Sequence, residues 1–297
     1  MINPHPGLPE LEYVKPASLS EACAFLAEHE GKAKPFSGGT DSFVRLRDGV
    51  LKLDYLVDIK GLDGTKELSF DPKKGLTIGA AVTMNQVAKH PDVIKYYPIL
   101  VQAADSVASY QLRNRATIIG NICNASPAGD TIGTCLVLDG VLNVEGVNGK
   151  RSIPLSSFFL GPGRTVLNAG DVVISITLPT PPAGMVGVYK KLGRNKISDL
   201  SIVGVAVMGY PNSKSPSGYT FRIALASVAP TPMEALKAEA ILAEKPITPE
   251  TLALAAETAM DAVTPIDDVR GSARYRKLMV RNLTREALTE VWAKLGK

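Results

Sequence analysis

The chain has 297 residues, 45% hydrophobic and 21% charged, with a formal net charge of +4; this is the balance of a globular protein long enough for two cores, not of a disordered or fibrous one. Its lysines and arginines are scattered among acids, which argues against a nucleic-acid partner, and no run is apolar for the length a bilayer demands. The amino terminus, MINPHPGLPELEY, lacks a basic stretch followed by an apolar one, so a cytoplasmic protein is expected.

Along the chain, Ser18-Leu19-Ser20-Glu21 has the pattern of a capping box opening a helix whose Leu19, Ala22, Cys23 and Leu26 share one face. A short extended piece leads into PFSGGTD, residues 35–41, with a helix expected from about Asp41. Tyr55 to Ile59 and Leu76 to Val82 are expected as strands, Thr83 to His90 as a capped helix, and Tyr97 to Val107 as a helix with Pro98 in its first turn. Residues 113–130, RNRATIIGNICNASPAGD, have the composition of a long loop, after which Leu136 to Val147 and Val172 to Leu178 are expected as strands.

Residues 179–184, PTPPAG, continue neither a helix nor a central strand, and two domains are expected on either side, 1–178 and 185–297. Leu200 to Tyr210 and Tyr219 to Val228 form an antiparallel pair in this reading, followed by helices starting near Pro232, Pro249 and Ser272. The last carries Tyr275, Leu278, Met279, Leu283, Leu288, Val291 and Trp292 at helical spacing, a core pattern. The fold class is α+β.

Chemistry concentrates in the two loops. Gly38 and Gly39 lack a Cβ and let successive backbone N–H groups converge on an anion, with Ser37 and Thr40 adding hydroxyl donors and Asp41 available to cap the following helix. The spacing matches neither GxGxxG nor GxxxxGK[ST]. By itself PFSGGTD is better explained as an ordinary strand-to-helix turn. The second loop offers Thr117, Asn121, Asn124, Ser126 and Asp130 as partners for ribose and ribityl hydroxyls, and Arg113 and Arg115 as cationic forks for a diphosphate. Cys23, Cys123 and Cys135 are too far apart for a cluster or disulfide framework, and Cys123 is expected as a small buried filler. His5, His29 and His90 make no metal-ligand spacing.

Together SGGTD and RNRATIIGNICNASPAGD resemble the FAD-binding subunits of the molybdenum hydroxylases, the family of carbon monoxide dehydrogenase medium subunits and xanthine dehydrogenase FAD subunits. YKKLGRNKISD (189–199), VAPTPME (228–234) and RGSARYR (270–276) extend the likeness in order along almost the whole chain. The resemblance implies a two-subdomain FAD-binding domain of the PCMH, or vanillyl-alcohol-oxidase-like, type, followed by a smaller domain with an antiparallel sheet and a helical carboxy terminus.

It further implies a non-covalent FAD held by Phe36 through Asp41 and by Thr117, Ile118, Ile119, Gly120, Asn121, Asn124, Ser126 and Asp130. Lys191, or its neighbour Lys190, would place a positive charge beside the isoalloxazine and Tyr189 would cover one face of it. The implied partners are a small iron–sulfur subunit with 2Fe-2S clusters and a large molybdopterin subunit, in a heterotrimer or a dimer of heterotrimers. Electrons would pass from the clusters through FAD to an acceptor such as NAD or quinone. One position departs: the family usually has TIGGN where this chain has Thr117-Ile118-Ile119-Gly120-Asn121, so Ile119 is expected to crowd the site. The alternatives are a stand-alone flavin oxidase or dehydrogenase, and a scaffold subunit with impaired FAD binding.

Overall fold

The computed structural model describes residues 7–195 and 197–296; His5 and Lys196 lie outside them. Its first layer is a small parallel sheet of β1 (Glu12–Val14), β2 (Ala33–Phe36) and β3 (Tyr55–Asp58), ordered β1-β3-β2. Helix α1 (Leu19–Glu28) crosses between β1 and β2 and buries Ala22, Cys23 and Leu26. Ser18 caps it by accepting from the Glu21 N–H, while the Glu21 carboxylate reaches back one residue further than a capping box requires, to the Ala17 N–H. Helix α2 (Ser42–Arg47) follows the glycine pair; Asp41 stands at its N-cap in helical backbone geometry and makes no side-chain cap.

A five-stranded antiparallel sheet forms the second layer, from β4 (Leu68–Asp71) and β5 (Gly75–Gly79) together with later strands. Between β5 and those strands lie six helices: α3 (Met84–Lys89), α4 (Pro91–Tyr96), α5 (Pro98–Ser106), α6 (Tyr110–Arg113), α7 (Ile118–Cys123) and α8 (Asp130–Val137). Thr83 and Gln86 close a full capping box on α3, and Pro98 stands in the first turn of α5, where its missing N–H costs nothing.

The expectation of one long loop over 113–130 is corrected here. Thr117 accepts from the Gly120 N–H and nucleates α7 inside it. The strand expected from Leu136 also begins late, because Leu136 and Val137 complete α8 and Asp139 turns the chain in the left-handed region (φ 53). The sheet is finished by β6 (Val141–Gly146), β7 (Gly149–Pro154) and, after the two-stranded β8 (Phe159–Gly161) and β9 (Arg164–Thr165), by β10 (Val172–Leu178), in the order β4-β5-β10-β6-β7.

The third layer is antiparallel, β11 (Val186–Leu192), β12 (Val203–Pro211), β13 (Tyr219–Ala226) and β14 (Met233–Glu234). Residues near Pro232 pair as the edge strand β14 rather than opening a helix, and α9 starts later (Leu236–Glu244). Helices α10 (Pro249–Asp261) and α11 (Ala273–Leu295) complete the chain. In α11, Leu288 and Val291 are fully buried as the spacing predicts, but Tyr275 is exposed and Arg276 and Thr284 take interior positions beside them.

β12 and β13 pack on both faces. Val203, Val205, Val207, Phe221, Ile223 and Leu225 join the core beneath α9–α11, while Ala206, Met208 and Ala224 join the main core with α5 and α8. Tyr189 of β11 belongs to the main core as well. Residues of both faces are apolar, so these strands show no polar alternation. The protein is thus an α+β chain whose third sheet is clamped between two sets of helices. Among the described residues, no helix is long and apolar enough to cross a membrane.

Candidate functional site

A cavity of about 650 Å³ opens where the β2–α2 turn faces the segment 117–130, a volume in the range of small-molecule and cofactor sites. Ser37, Gly38, Gly39, Thr40 and Asp41 form one wall; Thr117, Ile119, Gly120, Asn121, Asn124, Ser126 and Asp130 form the opposite one. Phe36, Ile118, Tyr189 and Lys191 stand behind the lining.

The two glycines earn their places differently. A Cβ on Gly38 would land on the Arg115 carbonyl oxygen and lie 2.9 Å from its carbon, so Gly38 is what lets the two loops touch. Gly39 is in the left-handed region (φ +74), and a Cβ there would meet the Phe36 ring at 2.5 Å. Ser37 is less open than its position in the sequence indicates: its hydroxyl donates to the Ala80 carbonyl (2.9 Å), which leaves it an acceptor toward the cavity.

In the second segment most polar groups hold the segment itself. Thr117 Oγ1 caps α7, Asn121 Oδ1 accepts from Thr131 (2.8 Å), Asn124 Oδ1 accepts from Arg45 (3.4 Å), and Ser126 Oγ accepts from the Ala128 N–H (3.2 Å). The Asn121 and Asn124 amide groups, whose oxygens are engaged, are left to donate. At the start of α7 the Gly120 N–H is taken by Thr117 Oγ1, which leaves the N–H groups of Ile118 and Ile119 without a partner within the helix. Ile119 is only 3% exposed and packs into the main core. Its side chain packs there while part of it finishes the cavity wall.

Asp130, 6% exposed, begins α8 and accepts from the Tyr189 hydroxyl (2.8 Å) and from Lys191 Nζ (2.7 Å), which also donates to the Ser106 carbonyl (2.9 Å). Tyr189 is tied through its hydroxyl and packed in the main core, and Lys191 is a paired cation. Both meet the cavity through Asp130. Burial pushes the Asp130 carboxyl up from the usual carboxylate range against the opposing pull of Lys191. Burial and the Asp130 charge push the Tyr189 phenol well above its ordinary value.

The arginines expected to face a diphosphate do other work. Arg113 donates to the carbonyls of Val107 (2.9 Å) and Ala108 (3.4 Å) and to Asn85 Oδ1 (3.3 Å), and pairs with Asp105. It thereby holds Ala108, a wall residue in the left-handed region (φ 42). The Arg115 side chain is exposed and outside the lining. Among the described residues, the cation on the wall is Lys34, a residue that the sequence reading missed. Burial lowers its pKa first, and Arg45 nearby lowers it further, while burial raises Asp41 across from it. Lys34 precedes the glycine turn by a few residues, and its place in strand β2 was the available signal.

Three further parts of the wall were also missed: Leu26, Glu30 and Gly31 at the end of α1, Leu167 to Asp171 before β10, and Ser198 to Leu200 after β11. The turn residues Asn168-Ala169-Gly170-Asp171 gave a local signal; the others come together only in the fold. Ser198 (φ 59) adds a second strained wall position, and such strain concentrates at functional sites. Cys123 is on the wall half-buried instead of being hidden filler, with its thiol pushed up to about 12 by burial. It is a neutral group at neutral pH.

Two family profiles cover this architecture. Residues 9–181 match the FAD-binding domain in molybdopterin dehydrogenase, and residues 187–291 match the carbon monoxide dehydrogenase flavoprotein C-terminal domain. The chain belongs to this family. It is similar to the carbon monoxide dehydrogenase medium chain of Hydrogenophaga pseudoflava, 32% identical over 96% of this chain and 98% of that one. It is also similar to a putative xanthine dehydrogenase FAD-binding subunit of Escherichia coli strain K12, 29% identical over 96% and 97%.

Among solved structures, the carbon monoxide dehydrogenase of H. pseudoflava that lacks the Mo-pyranopterin moiety superposes with a TM-score of 0.91 at 32% identity, covering 96% of this chain and 98% of that chain. Quinoline 2-oxidoreductase from Pseudomonas putida 86 gives 0.87 at 27% identity, covering 96% and 97%. The protein is thus a flavoprotein of the molybdenum hydroxylase family with an oxidoreductase role, and FAD is its cofactor.

Proposed function

We propose that this chain is the FAD-carrying electron-transfer subunit of a molybdopterin-dependent hydroxylase or dehydrogenase. The observation that carries this reading is the cradle: Gly38 in backbone contact with the Arg115 carbonyl, closing a cavity of about 650 Å³ beside the start of α7. FAD fits the donor set. The N–H groups of the 37–41 turn and of α7, with Lys34 on the same wall, suit a diphosphate. The Asn121 and Asn124 amides suit hydroxyls of the sugar and ribityl parts, and Asp130 offers an acceptor fixed by Lys191 and Tyr189.

Bound FAD would supply the exchange of single electrons with iron–sulfur clusters and of electron pairs with an acceptor such as NAD or quinone. The chain's own part is to bind and orient the cofactor, and to set the charge near it through the Asp130–Lys191 pair. The medium-chain relatives support an assembly with further subunits; in this reading these are a small 2Fe-2S subunit and a large molybdopterin subunit, in a cytoplasmic heterotrimer or a pair of them. Substrate chemistry would then reside on the large partner.

The test is the visible spectrum of the chain purified alone and then co-purified with the products of neighbouring genes, followed through anaerobic reduction. Flavin bands in the chain alone, with iron–sulfur absorbance and molybdenum only in the complex, support the proposal. Turnover of an organic substrate by the isolated chain would replace it with a stand-alone flavin dehydrogenase, and a chain that stays colourless with added FAD would leave only a scaffold role.

A further inference from the structure

The segment RGSARYR has no part in the cavity lining, yet its last arginine is almost fully buried. Arg276, 4% exposed, lies in the first turns of α11. One of its nitrogens, Nη1, donates to two backbone carbonyls at once, Ile202 (3.0 Å) and Ser227 (2.9 Å). Nε reaches the Gly271 carbonyl at 3.5 Å, and Nη2 lies 2.7 Å from Asp268 Oδ1 in an ion-pair contact. A planar fork that serves several acceptors in fixed directions is a task for arginine and not for lysine.

Each carbonyl leads to the cavity by a short path. Ile202 lies two residues beyond the wall segment Ser198 to Leu200, and its own N–H is tied to the Leu192 carbonyl (2.7 Å). Ser227 is a non-glycine residue in the left-handed region (φ 68), and its N–H donates to the Pro127 carbonyl (2.7 Å). Pro127 sits between the wall residues Ser126 and Ala128, three residues before Asp130. A strained residue of this kind persists only where its surroundings over-determine it. Ser227 is held on one side by the 126–130 segment and on the other by Arg276.

We propose that Arg276 is a positioning residue for the cofactor cavity. Its guanidinium locks Ser227 and Ile202 together, and through them fixes the 126–130 wall and the 198–200 lip at one separation. The inference rests on the FAD reading for its consequence, and on the backbone contacts alone for its mechanism. The carboxy-terminal helix thereby acts on a site that it does not touch.

The test compares Arg276→Lys with Val280→Ala, a fully buried core change one turn along the same helix. Both lower the unfolding temperature; only the first unties the two carbonyls. FAD affinity is expected to fall by about tenfold in Arg276→Lys, with altered visible bands of any bound flavin, and to hold in Val280→Ala at a matched loss of unfolding temperature. Equal affinity in the two variants overturns the proposal.

Amide exchange on the FAD-free full chain separates this idea from the cofactor reading. Faster exchange across 126–130 and 198–202 in Arg276→Lys than in Val280→Ala supports the positioning role even if the wild-type chain takes up no FAD, and identical exchange removes it. Where the lysine variant does not fold, Asp268→Asn, which removes the carboxylate charge facing both Arg276 and Arg270 and leaves the two carbonyl bonds of Arg276 in place, enters the same comparison with a smaller loss expected in the same direction.

Discussion

The two walls of the cavity are built on opposite principles. The 37–41 wall works by what its glycines lack: Gly38 admits the Arg115 carbonyl and Gly39 takes a conformation closed to most residues. The 117–130 wall works by side chains that mainly bond to their own surroundings, Thr117 to Gly120, Asn121 to Thr131 and Asp130 to Lys191 and Tyr189. A glycine turn of this sort tolerates almost no added atom at its point of closure. A wall propped by side chains tolerates added methyl groups and fails when a prop is removed.

The strongest way to break this contrast is to remove the main prop. Asp130→Ala leaves Lys191, whose side chain is 13% exposed, with the Ser106 carbonyl as its remaining partner among the described residues, and should cost about 3–5 kcal/mol of stability. Denaturant titration measures it, and a loss below about 1 kcal/mol would mean that the pair contributes no more than a surface salt bridge. The same carboxyl has a pH signature. Because burial raises its folded pKa, the folded state holds the proton more tightly than the unfolded one. The wild type should therefore lose stability relative to Asp130→Asn as pH rises from the unperturbed carboxylate value, about 3.8, through the higher folded value. A difference that stays flat or rises across that window would contradict the burial argument.

Next in size is Gly38→Ala. The new methyl would displace backbone at Arg115, for about 1–3 kcal/mol, and FAD uptake should fall away with it; flavin content after purification reads this directly. Gly120→Ala is the matched control on the other wall and the smallest effect. Its Cβ would sit 2.9 Å from Thr117 Oγ1 only, so the cap weakens while helix propensity improves, for a net change under about 1 kcal/mol. If Gly120→Ala proves as damaging as Gly38→Ala, the contrast between the walls is wrong.

Local chemistry made part of this legible in the sequence. Ser18, Thr83 and Pro98 start helices where their cap and first-turn preferences place them, and Val172 to Leu178 is a strand with the expected limits. What stayed hidden has physical causes. Helix α7, IIGNIC, is too short to show a helical period, and its glycine and asparagine imitate loop composition. Every residue of α8 is buried, so it has no polar stripe and its end merged with the next strand in the reading.

At the site, the glycine turn announced itself because its residues are neighbours in the chain. Lys34 at the wall, Arg113 turned to Ala108, and Arg276 behind Ser227 depend on contacts between distant segments. The family resemblance named two segments that line one cavity, while the partners of Tyr189 and Lys191 emerged only with coordinates.

The third sheet has a consequence for how this chain comes apart. Covalently the backbone passes from β10 to β11 through a few residues, but energetically the seam runs through the thickness of β12 and β13. Ala206, Met208 and Ala224 face one core while Val205, Val207 and Ile223 face the other. A fragment beginning at β11 would carry one finished face and one naked apolar face, and in water that face seeks a substitute: another copy, a chaperone or an aggregate.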